Sequence, residues 1–170
     1  GQSGQSGQSG QQAQVVFIGQ GSALAEIEQQ AAALPALADG SPAVVFLGQQ
    51  PPAVAASWQA HAQAALVSIV PGQGYDFAYP TKVLSALSCG VPVIYAGVGP
   101  VTADLADSRL GRAVTYDVAA VADAMLTYAT AERDADAAQY RHAWIKEHRS
   151  TAAVGRAVHE VLREAAQRQP

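Results

Sequence analysis

Positive charge is missing from nearly half of this chain. No Lys or Arg occurs before Lys82, whereas Glu26, Glu28, Asp39 and Asp76 all do. From Lys82 onward acids and bases cancel, so the formal net charge of −4 belongs to the first half. A basic patch is therefore impossible there, which argues against nucleic acid as a partner. Glutamines fill the places where surface Arg would be ordinary, among them Gln11, Gln12, Gln14, Gln20, Gln29, Gln30, Gln49, Gln50 and Gln73. The pattern fits replacement of Arg by Gln or an unusual origin. Cysteine is equally scarce. Cys89 stands alone, so no internal disulfide forms, and its place at the end of an apolar helix predicts a buried structural thiol.

Long hydrophobic runs are absent too. None approaches the roughly eighteen residues that span a bilayer, so no transmembrane segment is expected and the chain reads as soluble and cytoplasmic. The opening Gly1-Gln2-Ser3-Gly4 has neither the basic region nor the apolar stretch of a signal peptide. His61, His142, His148 and His159 show no metal-ligand spacing with Cys, Asp or Glu, so no metal set is assigned. Neither a Gly-x-Ser-x-Gly elbow nor a Gly-x-x-x-x-Gly-Lys phosphate loop occurs.

What is present is globular: 49% of the 170 residues are hydrophobic, enough for one domain with a tail. Residues 1–13, a repeated Gly-Gln-Ser unit running into glutamines, read as a flexible linker, and residues 14–170 as the domain. Val15-Val16-Phe17-Ile18 is a buried strand by its β-branched and aromatic content. Gly19 and Gly21 follow, with Ser22 placed to cap a helix reaching about residue 33. These glycines start a dinucleotide fingerprint, but Leu24 occupies the third position and the fingerprint fails. A second strand, Ala43-Val44-Val45-Phe46-Leu47, leads through Gly48-Gln49-Gln50-Pro51-Pro52 into a helix with Val54, Trp58 and Ala62 at helical spacing; Trp58 is expected in the core.

The chain is organised around residues 71–94. An apolar run of strand length over 64–70 is closed by Pro71 and Gly72. Pro80 suits the start of a helix, Val83, Leu84 and Leu87 form its buried stripe, and Gly90 ends it. Lys82 and Ser85 share one face near its beginning. A Gly-rich loop, free helix N–H groups and an adjacent Lys form a physical recipe for holding a phosphate; the plain alternative is a strand-loop-helix crossover with a solvated lysine. Asp76, in the same loop, is the one carboxylate with a catalytic address, against its ordinary use as a turn former or lysine partner.

Val93-Ile94-Tyr95-Ala96 is the fourth strand, ending at Gly97-Val98-Gly99-Pro100 and a short helix. Residues 112–116 form the fifth, and Asp117 caps the helix over 118–128. Two further helices are expected over 132–147 and 151–167. Tyr140, Trp144 and Ile145, then Val154, Val158 and Leu162, are their buried stripes. This alternation predicts an α/β fold, a doubly wound, Rossmann-like, mostly parallel sheet of about five strands with helices on both faces and two C-terminal helices. Ligands of such sheets sit beyond the carboxyl ends of the strands, at the Gly- and Pro-rich loops.

The order of motifs resembles the donor-binding, C-terminal half of GT-B glycosyltransferases, particularly the retaining enzymes of family 4. The carriers are the stretches Val15-Val16-Phe17-Ile18-Gly19-Gln20-Gly21-Ser22, Val45-Phe46-Leu47-Gly48, and Tyr79-Pro80-Thr81-Lys82-Val83-Leu84-Ser85-Ala86-Leu87-Ser88-Cys89-Gly90-Val91-Pro92-Val93-Ile94. The resemblance implies transfer of a sugar from a nucleotide-diphosphate sugar to an acceptor hydroxyl, with no further cofactor. It assigns Gly19, Gln49, Gly74, Tyr75, Asp76, Thr81, Lys82 and Ser85 to the donor, with Thr81 and Lys82 by the diphosphate and Gln49 and Gln50 by the base. No residue is assigned a catalytic role. The chain departs from the family in having Ser85 and Phe77 where a pair of glutamates is usual, and in lacking the Arg and Lys that neutralise the diphosphate. The N-terminal acceptor domain is the implied partner, and the chain resembles a half-enzyme without it. The competing reading is a non-catalytic or engineered α/β scaffold with a vestigial nucleotide site. A third, a nucleotide-sugar epimerase, needs acidic and His residues in the rim loops that the sequence lacks.

Overall fold

A computed structural model describes residues 13–168. The linker expected over residues 1–13 falls, but for its last residue, outside the described residues. The chain divides into two compact units, Gly1–Ala55 and Ala56–Pro170.

In the first unit, β1 (Val15–Phe17) pairs parallel with β2 (Val44–Phe46), Val16 opposite Val45. The stack of Phe17 on Phe46, ring centroids 5.2 Å apart, closes the end of this pair. Between them runs α1 (Leu24–Ala32). Its N-cap is Ala23, with no side-chain cap, which corrects the expectation for Ser22: the turn after Gly21 starts the helix one residue beyond the serine's reach. The helix α2 (Pro52–His61) carries the chain into the second unit, its prolines at the start, where a missing N–H costs nothing.

The second unit holds a three-stranded parallel sheet in the order β3 (Ala65–Ser68), β4 (Val93–Ala96), β5 (Gly111–Val114). All five expected strands are present and every pairing among the described residues is parallel, so the α/β reading holds; the strands bond as a pair and a triplet. The central β4, Val-Ile-Tyr-Ala, is buried along its whole length. Crossing from β3 to β4 is α3 (Thr81–Ser88), whose Val83, Ala86 and Leu87 are fully enclosed. With Tyr95, Val101, Leu105 and Leu110 they make the core of this unit. Gly90 ends α3 at φ +74°, and the Val91 N–H returns to the Ala86 carbonyl at 3.0 Å, closing the helix.

A short α4 (Val101–Asp104) links β4 to β5, and α5 (Val118–Thr130) follows β5 with Asp117 as its cap, accepting from the Ala120 N–H at 3.0 Å. Then come α6 (Ala135–His148), capped by Asp134, and α7 (Thr151–Gln167), capped by Ser150. Tyr140, Trp144 and Ile145 of α6 pack on the core as expected.

Two expected buried stripes are overturned. Val154, Val158 and Leu162 of α7 are 52% to 65% exposed, and Val54 and Trp58 of α2 are also exposed, Trp58 at 43%. Helical spacing identifies a face as apolar but says nothing of what covers it. On α7 only Ala153 is buried. Cys89 is half-buried rather than enclosed; its thiol lies 3.6 Å from Gln59 Oε1, and burial raises its pKa. Among the described residues no helix is long and apolar enough to cross a membrane.

Candidate functional site

Because β3, β4 and β5 are parallel, their carboxyl ends lie at one edge of the sheet, and the loops over 71–79, 97–100 and 115–117 share that rim. The first two loops touch. Gly99 has φ +100°, and a Cβ there would collide with the carbonyl of Asp76, so only glycine allows this approach. Asp76 shapes its own loop from inside: its carboxylate oxygens accept from the Gly72 N–H at 3.0 and 3.2 Å. It is a turn former, and no ion pair joins it to Lys82 among the described residues. Its charge, after burial, helps push the Tyr95 hydroxyl upward in pKa.

The rim leads directly into α3. Pro80 is the N-cap and offers no side-chain acceptor, so the Thr81 and Lys82 amides stay open at the positive end of the helix dipole. The Thr81, Lys82 and Ser85 side chains are exposed, and Lys82 makes no hydrogen bond or ion pair among the described residues. Ser85 is engaged elsewhere: its hydroxyl donates to Gln59 Oε1 at 2.8 Å. Gly74 takes φ +80° in the loop, beside Tyr75, which is 64% exposed. The second unit thus brings together six of the eight predicted residues, Gly74, Tyr75, Asp76, Thr81, Lys82 and Ser85, on one loop and the helix that follows it.

Gly19 and Gln49 belong to the first unit, where they meet each other's loops. The Gly19 N–H donates to the Gly48 carbonyl at 2.7 Å, and Gln20 Nε2 donates to Gln49 Oε1 at 3.0 Å. Gln50 turns back to its own loop, donating to the Leu47 carbonyl at 2.5 Å.

Compared with known protein families, the chain matches glycosyl transferases group 1 over residues 5–131. The chain belongs to that family. A comparison with curated proteins found no match. The matched region contains β1 to β5 and α1 to α5, including the rim loops and α3. In this region Lys82 is the only Lys or Arg before Arg109.

Sequence reasoning missed a cluster that sits immediately behind this rim. The Tyr79 hydroxyl donates to Asp104 Oδ2 at 2.8 Å, and Arg149 donates to the same oxygen at 2.5 Å. The Arg149 guanidinium also lies over the Tyr79 ring, 5.0 Å from its centroid, and 5.6 Å from that of Trp144. Burial, then the Asp104 carboxylate, pushes the Tyr79 hydroxyl well above the usual tyrosine range and keeps it protonated. These residues are 25 and 45 apart in sequence, so no local spacing reveals them. Two shallow concavities among the described residues are lined by other segments, one of about 250 Å³ by Ser57, Trp58 and His61, the other of about 260 Å³ along α7. Among the described residues no group of three His, Cys, Asp or Glu could hold a metal.

Proposed function

We propose that this chain holds the nucleotide-diphosphate sugar in a glycosyl transfer reaction whose acceptor is a hydroxyl group, the acceptor being held by a second domain. The observation that carries the reading is the start of α3: a helix N-terminus without a side-chain cap and a Lys82 side chain with no partner among the described residues, preceded by a glycine-bearing loop, in a member of a glycosyltransferase family. As the sugar–phosphate bond breaks, negative charge grows on the leaving diphosphate. Fixed amides and one ammonium stabilise that charge more than the ground state, which is the useful kind of binding. Residues from 14 onward are the proposed donor-binding domain, and Gly19 and Gln49 the proposed contacts on the nucleoside side. A cytoplasmic setting, where nucleotide sugars are made, goes with this reading.

The test is calorimetric titration with a nucleoside diphosphate and with the bare nucleoside. Lys82→Ala should weaken the diphosphate roughly tenfold or more, the value of one charged hydrogen bond at about 1.5–3 kcal/mol, and leave the nucleoside unchanged. Equal losses for both would place Lys82 away from the phosphates. No binding by the parent chain would favour the vestigial scaffold.

A further inference from the structure

We infer that Tyr79, Asp104 and Arg149 are positioning residues that aim the first turn of α3. The inference rests on the reading that this turn receives the diphosphate. With eight residues, α3 does not hold its own direction: its buried face of Val83, Ala86 and Leu87 seats it on the core, and what grips its two ends trims its aim. At its far end, Arg141 of α6 donates to the Gly90 carbonyl at 3.0 Å. At its near end Thr81 and Lys82 are exposed, and the side chain next to the cap with a fixed partner is Tyr79, tied to Asp104 and overlain by Arg149.

The geometry of α6 makes these two grips a pair. Arg141 lies within α6 and Arg149 is its C-cap, eight residues on, a rise of about 12 Å; an eight-residue α3 has the same length. Arg141 meets the end of α3 and Arg149 lies over Tyr79, two residues before its start, so α6 runs antiparallel beside α3 and splints it. At the Arg141 end, Gly90 approaches α6 so closely that a Cβ would lie 3.0 Å from His142 Nε2 and 3.2 Å from the Ala138 Cβ. Pro80 stiffens the link from Tyr79 to the open amides, its ring fixing φ at −64°. Asp104 Oδ2 is occupied within the clamp, accepting from both Tyr79 and Arg149, and the Asp104 side chain is only 16% exposed.

Tyr79→Phe removes one oxygen and keeps the ring under Arg149. Diphosphate affinity should fall about threefold to tenfold, with nucleoside affinity unchanged. In a Lys82→Ala background the same substitution should cost clearly less, because aiming a turn that lacks its ammonium gains less. General loosening of the fold would instead lower affinity alike in both backgrounds. Arg149→Leu, the second variant, should show the same diphosphate-selective loss, and Arg149→Lys should restore most of it by keeping the pair with Asp104. If the parent binds nucleoside diphosphate and Tyr79→Phe and Arg149→Leu bind it equally well, or lose affinity equally with and without Lys82, the clamp is refuted while the donor site stands. If the parent binds no nucleoside diphosphate, the donor reading fails and takes the clamp with it.

Discussion

Arg141 is the one charged residue buried in the described structure, at 8% exposure; among the described residues it has no ion pair, and Asp134 acts on it only through space. Its Nε donates to the Arg109 carbonyl at 2.6 Å and its Nη1 to the Gly90 carbonyl at 3.0 Å. Burial lowers its pKa, the expected sign for a cation in a poor solvent. Replacing it by Met fills the space of the stem and removes the fork. Two hydrogen bonds to a charged donor, about 1.5–3 kcal/mol each, are lost and two carbonyls are stranded, one of them at the end of α3. Relief from burying an unpaired charge returns part of this. The balance should be a loss of about 2 kcal/mol or more, or roughly 4–8 °C in Tm for a chain of this size. Arg141→Lys separates the terms. It keeps the charge but one ammonium cannot reproduce the planar fork, so it should be no more stable than Arg141→Met. Urea and thermal denaturation of both variants decide the matter. A Met variant as stable as the parent would mean that the cost of burying the charge outweighs both bonds, and that Arg141 is no grip on α3.

Asp107 offers a test by pH. Hydrogen bonds from Arg109 and then Tyr140 hold its carboxyl well below the usual range. Its folded pKa is therefore below the unfolded one, so its contribution is present in full above an unfolded value near 4 and is lost as pH falls towards the folded value. Asp107→Asn should lose stability less steeply than the parent between about pH 4 and 2 in thermal melts, and parallel curves would refute this account. Gly99→Ala should cost about 1–3 kcal/mol in backbone strain and speed hydrogen exchange at the Gly72 and Ala78 amides, whose bonds to Asp76 and Tyr75 hold the loop that the new Cβ would displace.

Much of the fold was legible because its punctuation is chemical. Asp117 caps α5 where the sequence marks it, and α7 begins and ends at the residues its pattern indicates. The glycine after α3 and the apolar β4 are read as easily, since a left-handed stop and a fully buried parallel strand both leave local signatures. Ser22 misled because a good capping residue sits one place too early. Trp58 and the α7 stripe misled for a different reason: amphipathicity records that a face is apolar, whereas burial depends on the partner. Arg141 was hidden by its own stripe. It lies four residues after Ala137 and three before Trp144, on the face that packs inward, where periodicity predicts an apolar side chain. The Tyr79–Asp104–Arg149 cluster joins three distant segments and has no linear signature at all.

The distribution of cations gives these pieces one logic. In the second unit, Arg109 is paired with Asp107, Arg112 with Asp123 and Arg149 with Asp104, while Arg141 is spent on carbonyls. The first 81 residues supply none. On the proposed reading, a diphosphate at the start of α3 would meet the Lys82 ammonium and a set of amides, and amides act only when they point at the oxygens. Where several arginines neutralise a ligand, small errors in helix direction are forgiven, because long flexible side chains follow the charge. On that reading the direction of a two-turn helix would matter more, and the two arginines of α6, one near each end of α3, would serve to fix it rather than to touch the ligand.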